Sequence, residues 1–497
     1  MNTIEEITNE QTEWLEEIRV YVEDQALREE LHEVEENLLH RVLRLGLLLL
    51  QEVIIRHGSG DEGKFHNHGG VTRSRHSEKT RSYLSIFGPV EIKRTYYWEE
   101  DEGGYCPLDE KLNLPERWVS YLLQGWVQER AVKESFDDAI EDVEQFLNLR
   151  LPKRTHEQIT HEASEYVPTF YEEKKPPESE TEGRFIGVEA DGKGIRMIPS
   201  DQPKKTEEET KPRRGKGEKP GLRRMAVATA DFTFEPEART AEEMVAILMK
   251  EETTKTQEND SKRRGCKSDR KNPRMPVNTR IAGTLTGKET AIKELAGRVH
   301  QRDPTGEKTI IVLVDGEKSL ETQIRSVFRK EKLLARVDAF ILDIMHAMEY
   351  LWEAGTVLLG EKNKDRNPWV RRQALAVLQG RVGYVIGGLK RICTCRKLTK
   401  TQERGLQKTI TYFANHKHMM RYNEYLQKGY PIGTGLIEGT CRSLVKDRMD
   451  ISGAKWTQAG AEAILRLRSV KKNSDWNAYW DYYISKSKER LYGISLN

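Results

Sequence analysis

Three acids in this chain have the type and setting to hold a divalent cation. Asp191 closes the apolar run RFIGVEAD (184–191), Asp315 closes KTIIVLVD (308–315), and Glu438 lies in YPIGTGLIEGTCRSLVKDRM (430–449). Each aspartate is followed by a glycine, Asp191-Gly192 and Asp315-Gly316. Acids at strand ends face the rim of a sheet, where ligands bind. Mg²⁺, or Mn²⁺ in its place, prefers such oxygen ligands and keeps positions open for water and phosphate oxygens. Two such ions about 3.5–4 Å apart serve in-line phosphoryl transfer. Asp191, Asp315 and Glu438 are the metal-ligand candidates. An Asp-Gly pair is also an ordinary turn, and Glu189, on the same strand face, is a substitute for Asp191. Thr434 could cap the helix around Glu438, but a capping box needs its Glu at position 437, which is Ile437. Arg442 and Lys446 follow Glu438 at four-residue steps, which a solvated acid–base ladder would also show.

The elements that would position these acids follow from the apolar pattern. Strands are expected over 184–191, 225–234, 279–286, 308–316 and 337–343, with helices over 287–299 and 321–331. Three strands, helix, strand, helix, strand is the order of a ribonuclease-H-like fold. Asp343-Ile344-Met345-His346 closes the fifth strand. From Ala347 to about Tyr430 the pattern is helical, an all-helical block ahead of the last helix.

Upstream, residues 3–56 read as long helices suited to packing or self-association, and HGSGDEGKFHNHGG as a flexible loop. Its His57, His66 and His68 lack cysteines at zinc spacing. Residues 81–98 look like a hairpin around Gly88-Pro89, and 135–147 with 155–167 have the shape of a helix-turn-helix. Residues 171–183 read as a linker. The resulting plan is multidomain α+β: 1–60 helical, 61–112 loop and hairpin, 113–172 helical, 183–346 catalytic core, 347–430 helical insertion, and 431–497 the last core helix with a basic, aromatic tail.

Charged residues make up 33% and apolar ones 36% of 497 residues, with net charge +2. That sum hides local asymmetry, because residues 1–40 carry thirteen acids against Arg19 and Arg28, while 203–224 carry nine Lys or Arg against four Glu. Residues 255–274 and 439–472 each carry eight basic residues against three acids. Basic runs are commonly solvated faces, so one alone says little about nucleic acid. No apolar run has membrane length, the start is too acidic for a leader, and five scattered cysteines argue against a disulfide framework. The expected location is cytoplasmic, at the nucleoid. Cys393-Thr394-Cys395 has no second pair and reads as free thiols.

Several of these stretches together resemble one family. SIFGPVEIKRTYYW, YCPLDEKL, IVLVDGEKSLE, LDIMHAMEYLWEAG, MRYNEYLQKGYPIGTGLIEGTCRSLVKDRM and GAEAILRLRSVKKNSDWNAYW look like a DDE-type transposase of bacterial insertion sequences, of the ISKra-four family, related to the IS-two-five-six and Mutator-like groups. The resemblance implies that Asp191, Asp315 and Glu438 are the catalytic and metal-binding acids, with Asp343 and His346 supporting. It implies a helical N-terminal DNA-binding region and a ribonuclease-H-like catalytic domain interrupted by an all-helical insertion. The partner would be double-stranded DNA, both the element's terminal inverted repeats and the target, with the chain at least a dimer on it. Arg442, Lys446, Arg448 and Lys455 would contact phosphates. The charged inserts near 200–222 and 252–276 are longer than the family pattern requires. A nuclease that cuts without joining, and a catalytically silent DNA-binding descendant, are the alternative readings.

Overall fold

The computed structural model describes residues 3–199, 223–250, 276–433, 439 and 441–493, with the side chains of 441, 442 and 452 outside the description. The chain divides into two compact units, Met1–Glu173 with Ser474–Asn497, and Lys174–Asn473. Among the described residues no helix is long and apolar enough to cross a membrane.

The first unit opens with α1 (Ile4–Val20), started by a capping box of Thr3 and Glu6, and α2 (Leu31–Arg56). α1 lies on α2 through buried Ile7 and Gln11, and Trp14 donates to the Arg41 carbonyl at 3.0 Å. Strands β1 (Phe65–His68), β2 (Val71–Ser85), β3 (Gly88–Glu99) and β4 (Gly103–Tyr105) form an antiparallel sheet in that order. The expected hairpin is β2–β3, turning between Ser85 and Gly88. The histidine-rich stretch differs from expectation. His66 and His68 lie on β1 with both rings stacked on Tyr105, so aromatic packing orders a stretch whose glycines suggested a loop.

Helices α3 (Pro107–Lys111), α4 (Tyr121–Ala131), α5 (Phe136–Leu147), α6 (Lys153–Glu165) and α7 (Val167–Glu173) follow. α5 and α6 are the two helices read from the sequence, and with α4 they enclose Leu123, Val127, Val143 and Ile159. The C-terminal helix Trp476–Tyr492 belongs to this unit and not to the sheet domain with which the sequence plan grouped it. Its aromatic residues explain why. Trp480 donates to the Tyr121 carbonyl at 3.0 Å, Tyr492 to that of Leu114 at 2.6 Å, and Tyr479 to that of Ala163. Gly125 leaves room for the Trp480 ring, which a Cβ there would meet at 2.8 Å.

The second unit is built on β5 (Phe185–Arg196), β6 (Arg223–Phe234), β7 (Val277–Thr284), β8 (Thr309–Val314) and β9 (Val337–Leu342). Their order in the sheet is β7-β6-β5-β8-β9; β5, β6 and β7 run antiparallel in turn, while β8 and β9 run parallel to β5. β8 is buried from Ile310 to Val314, as a strand covered on both faces must be. Between the strands lie α8 (Ala241–Leu248), α9 (Lys288–Arg302) and α10 (Lys318–Lys330). α8 is an addition to the expected plan, announced by the capping box Thr240/Glu243. The expected strands and helices are otherwise present, except that β5 continues past Asp191 to Arg196 because β6 pairs with it along that whole length.

Within this sheet Asp231 is fully buried and surrounded by arginines. Its carboxylate oxygens lie 2.5 Å from Arg298, 3.3 Å from Arg302 and 3.6 Å from Arg280. Burial alone would raise its pKa, but the three guanidiniums outweigh that and hold it below the usual carboxylate value. The all-helical block is α11 (Ile344–Leu359), α12 (Arg366–Leu378), α13 (Val382–Cys395), α14 (Lys400–His416) and α15 (Tyr422–Lys428). A last helix, Gln458–Lys472, follows.

Candidate metal centre

β5 and β8 run parallel with Glu189 opposite Leu313, the last pair in the ladder. Two residues further along each strand stand Asp191 and Asp315, which are therefore level with one another at the same rim. Asp191 is half-buried and inside β5, where β6 supports it opposite Ala228. Asp315 follows the last residue of β8, and its carboxylate accepts the Glu317 N–H at 2.8 Å. Burial pushes the pKa of Asp315 up, against that hydrogen bond, and the charge of Asp191 pushes it further in the same direction. Glu317 adds to this push and His346 opposes it, so all four groups share one electrostatic neighbourhood.

The turn after β8 is held by side chains that the sequence reading did not single out. Gly316 has φ 91°, and a Cβ there would stand 2.7 Å from Tyr412 Oη. Only glycine satisfies both demands. Tyr412 donates to the Asp315 carbonyl at 2.8 Å, and His416 Nε2 lies 3.0 Å from the Gly316 carbonyl. Both come from α14, so the helical block buttresses the backbone that carries Asp315. Their distance from Asp315 in the chain hides them from sequence reasoning; the adjacent Glu317, in the quoted VDGEKS, was visible but unassigned. Glu317 also pairs with Lys288 at the start of α9.

Asp343 is fully buried, and its N–H donates to the Val314 carbonyl at 2.8 Å. Its carboxylate caps α11 by accepting the Met345 N–H at 2.8 Å. That is a structural employment. His346, one turn along, is half-buried with Nδ1 3.4 Å from Glu349. Glu189 is 1% exposed and lines a cavity of about 360 Å³ with Phe232, Met244, Ile344 and Gly433. Asp191, not Glu189, is the β5 acid at the rim.

Glu438 lies outside the described residues, as does Thr434. The chain before it is fixed at the site, since Ile344 N–H donates to the Ile432 carbonyl at 2.8 Å and a Cβ on Gly433 would be 3.7 Å from Asp343 Oδ1. Glu438 is five residues beyond Gly433, a reach of at most about 17 Å. After it, Leu444 and Val445 are buried, and Arg468 donates to the Leu444 carbonyl at 2.6 Å. Burial lowers the pKa of Arg468 to about 10.

The four basic residues expected at phosphates separate. Lys446 and Lys455 are exposed, while the side chain of Arg442 is outside the description. Arg448 requires a correction. It is 2% exposed, with its guanidinium 4.7 Å from the centre of the Trp456 ring, which removes it from any surface a phosphate could reach.

No group of three His, Cys, Asp or Glu among the described residues could hold a metal ion. Asp191 and Asp315 supply two carboxylates, and no described Lys or Arg forms an ion pair with either. Two carboxylates without a protein cation are hard oxygen donors of the type a divalent metal takes.

The pattern of one family, described as Uncharacterised protein family (UPF0236), matches residues 27–257. That stretch is under half of the chain; it includes Asp191 and stops short of Asp315 and Glu438. No curated protein matches the chain.

Proposed function

We propose that this chain is a DDE-type DNA transposase, which binds the terminal inverted repeats of an insertion sequence, cuts the 3′ ends with water and joins them to target DNA. The observation that carries the reading is the pair Asp191 and Asp315, level on adjacent parallel strands without a cation between them among the described residues. The order of strands and helices around that pair supports a ribonuclease-H-like core, and the helical block supports the insertion of the resembled family. Asp191, Asp315 and Glu438 would hold the ions. Bound Mg²⁺ would supply activation of the attacking oxygen and stabilisation of the leaving one.

The chain's own residues do the positioning. Asp315 is aimed by the Glu317 N–H and by the Tyr412 hydroxyl on its carbonyl; Asp191 is fixed within a strand paired on β6. Lys446 and Lys455 present exposed ammonium groups that would orient DNA through phosphates without reading its sequence. The test is Mg²⁺-dependent cleavage and strand transfer on a labelled fragment bearing the ends that flank the gene, with Asp315→Asn as control. Joined products that vanish in the variant are expected. Cleavage without joining would favour a nuclease, and specific binding without cleavage, unchanged in the variant, a silent DNA-binding protein.

A further inference from the structure

Two acids stand just before helices that follow the parallel strands β8 and β9, and only one of them serves its helix. Asp343 follows β9 and its carboxylate caps α11. Glu317, two residues beyond Asp315, holds the same position before α10, yet its side chain makes no capping hydrogen bond there. It reaches sideways instead. Oε1 accepts from the Lys288 ammonium at the start of α9 and from Ser319 Oγ at 2.6 Å. Oε2 takes no hydrogen bond among the described residues, and a Cβ on Gly192, the neighbour of Asp191, would stand 3.8 Å from it. Glu317 therefore touches both sides of the candidate metal centre, since its N–H binds the Asp315 carboxylate at 2.8 Å. The side chains of Lys288 and Glu317 are 26% and 39% exposed, so the pair can exchange partners without disturbing a core.

We propose that Glu317 is a further ligand of the metal centre, held off by Lys288 until a divalent cation displaces the ammonium. The inference rests on the reading of Asp191 and Asp315 as metal ligands. A doubly charged ion is a stronger partner for a carboxylate than one ammonium, and Oε2 already borders the residue after Asp191. With Glu317 turned to Lys288 the acids do not converge, which agrees with the lack of a three-residue metal group among the described residues. The other acids nearby are engaged elsewhere, Asp343 in capping α11 and Glu189 in lining the adjoining cavity. Lys288 is a positioning residue in this scheme. It neutralises Glu317 before the ion arrives, and so limits the repulsion that Glu317 exerts on Asp315.

Mn²⁺ binding to the full chain without DNA, followed by electron paramagnetic resonance of the free ion, tests this apart from activity. Lys288→Met frees the carboxylate and is expected to tighten Mn²⁺ on the order of tenfold. In a Glu317→Gln chain the same substitution is expected to have little effect. This cycle separates ligation from simple repulsion, because an ammonium that only repels the ion makes Lys288→Met equally effective in both backgrounds. That equality overturns the proposal, as does Mn²⁺ binding by the otherwise wild-type chain that is indifferent to Lys288→Met. Circular dichroism and Tm are expected to match wild type in each variant, since both side chains are partly exposed at helix starts. Asp315→Asn locates the ion. Binding as tight as wild type in that variant overturns the metal-centre reading together with this inference. A site lost in Asp315→Asn yet blind to Lys288→Met leaves that reading standing and sinks this one.

Discussion

Two aspartates of the same sheet have opposite surroundings. Asp231 on β6 is buried with three guanidiniums within 3.6 Å, whereas Asp315 at the end of β8 has another carboxylate, Asp191, for its neighbour. One acid is compensated by its own protein and its pKa falls; the other is not and its pKa rises. The first arrangement holds β6, β7 and α9 together. The second is costly to the fold by itself, and a cation at the proposed metal site would relieve it.

The comparison breaks most sharply at Asp315. Asp315→Asn should lower strand cleavage on the order of 10³-fold, measured by single-turnover assay on labelled ends. Its stability should equal or exceed wild type at neutral pH. The raised folded pKa means that the carboxyl group favours the native state while protonated, and this contribution is lost as pH rises from the unfolded value through the folded one. Wild type and Asp315→Asn should therefore converge in urea midpoint below pH about 4 and diverge above it. A variant less stable than wild type at pH 7 would place Asp315 in the same class as Asp231.

Asp231→Asn should do the reverse, costing about 3 kcal/mol in urea unfolding, because it strands buried guanidiniums. Its lowered folded pKa makes the contribution of Asp231 present above the unfolded value and lost as pH falls through the folded one. The gap in urea midpoint between wild type and Asp231→Asn should accordingly be full at neutral pH and narrow as pH falls through the folded value. Unfolding at neutral pH indistinguishable from wild type would remove the contrast. Gly316→Ala is intermediate, since it touches the support and not the acid. A left-handed φ and the Tyr412 hydroxyl both oppose a Cβ there. About 2 kcal/mol of destabilisation is expected, with cleavage impaired through the displaced Asp315 backbone.

What could be read from the chain depended on how local the physics was. β8 was legible because a strand covered on both faces must be apolar throughout, and Asp315 was legible because it ends that run. Tyr412 and His416 were not, because their roles arise only when α14 reaches the turn after β8. The end of β5 was misjudged at Asp191, since pairing with β6 extends the strand through glycines that the sequence reads as a break. The C-terminal helix was likewise assigned by proximity in the chain, while its Trp480 and Tyr492 bond to Tyr121 and Leu114.

The same contrast between compensated and available charge recurs, with smaller effect, among the basic residues. Lys446 and Lys455 are exposed, and Arg448 is enclosed against Trp456; the sequence alone gives the three one charge and no means of telling them apart. If the exposed pair meets phosphates, K446A and K455A should each reduce the slope of log affinity against log salt by about 1 on DNA of any sequence. Neither should shift the urea midpoint appreciably, because exposed lysines contribute little to folding. R448A should leave the salt slope unchanged and lower the midpoint, since it empties a buried site and removes a cation from an aromatic face. A reduced slope in R448A would mean that the enclosed guanidinium reaches DNA after all, and that burial here does not separate structural from functional charge.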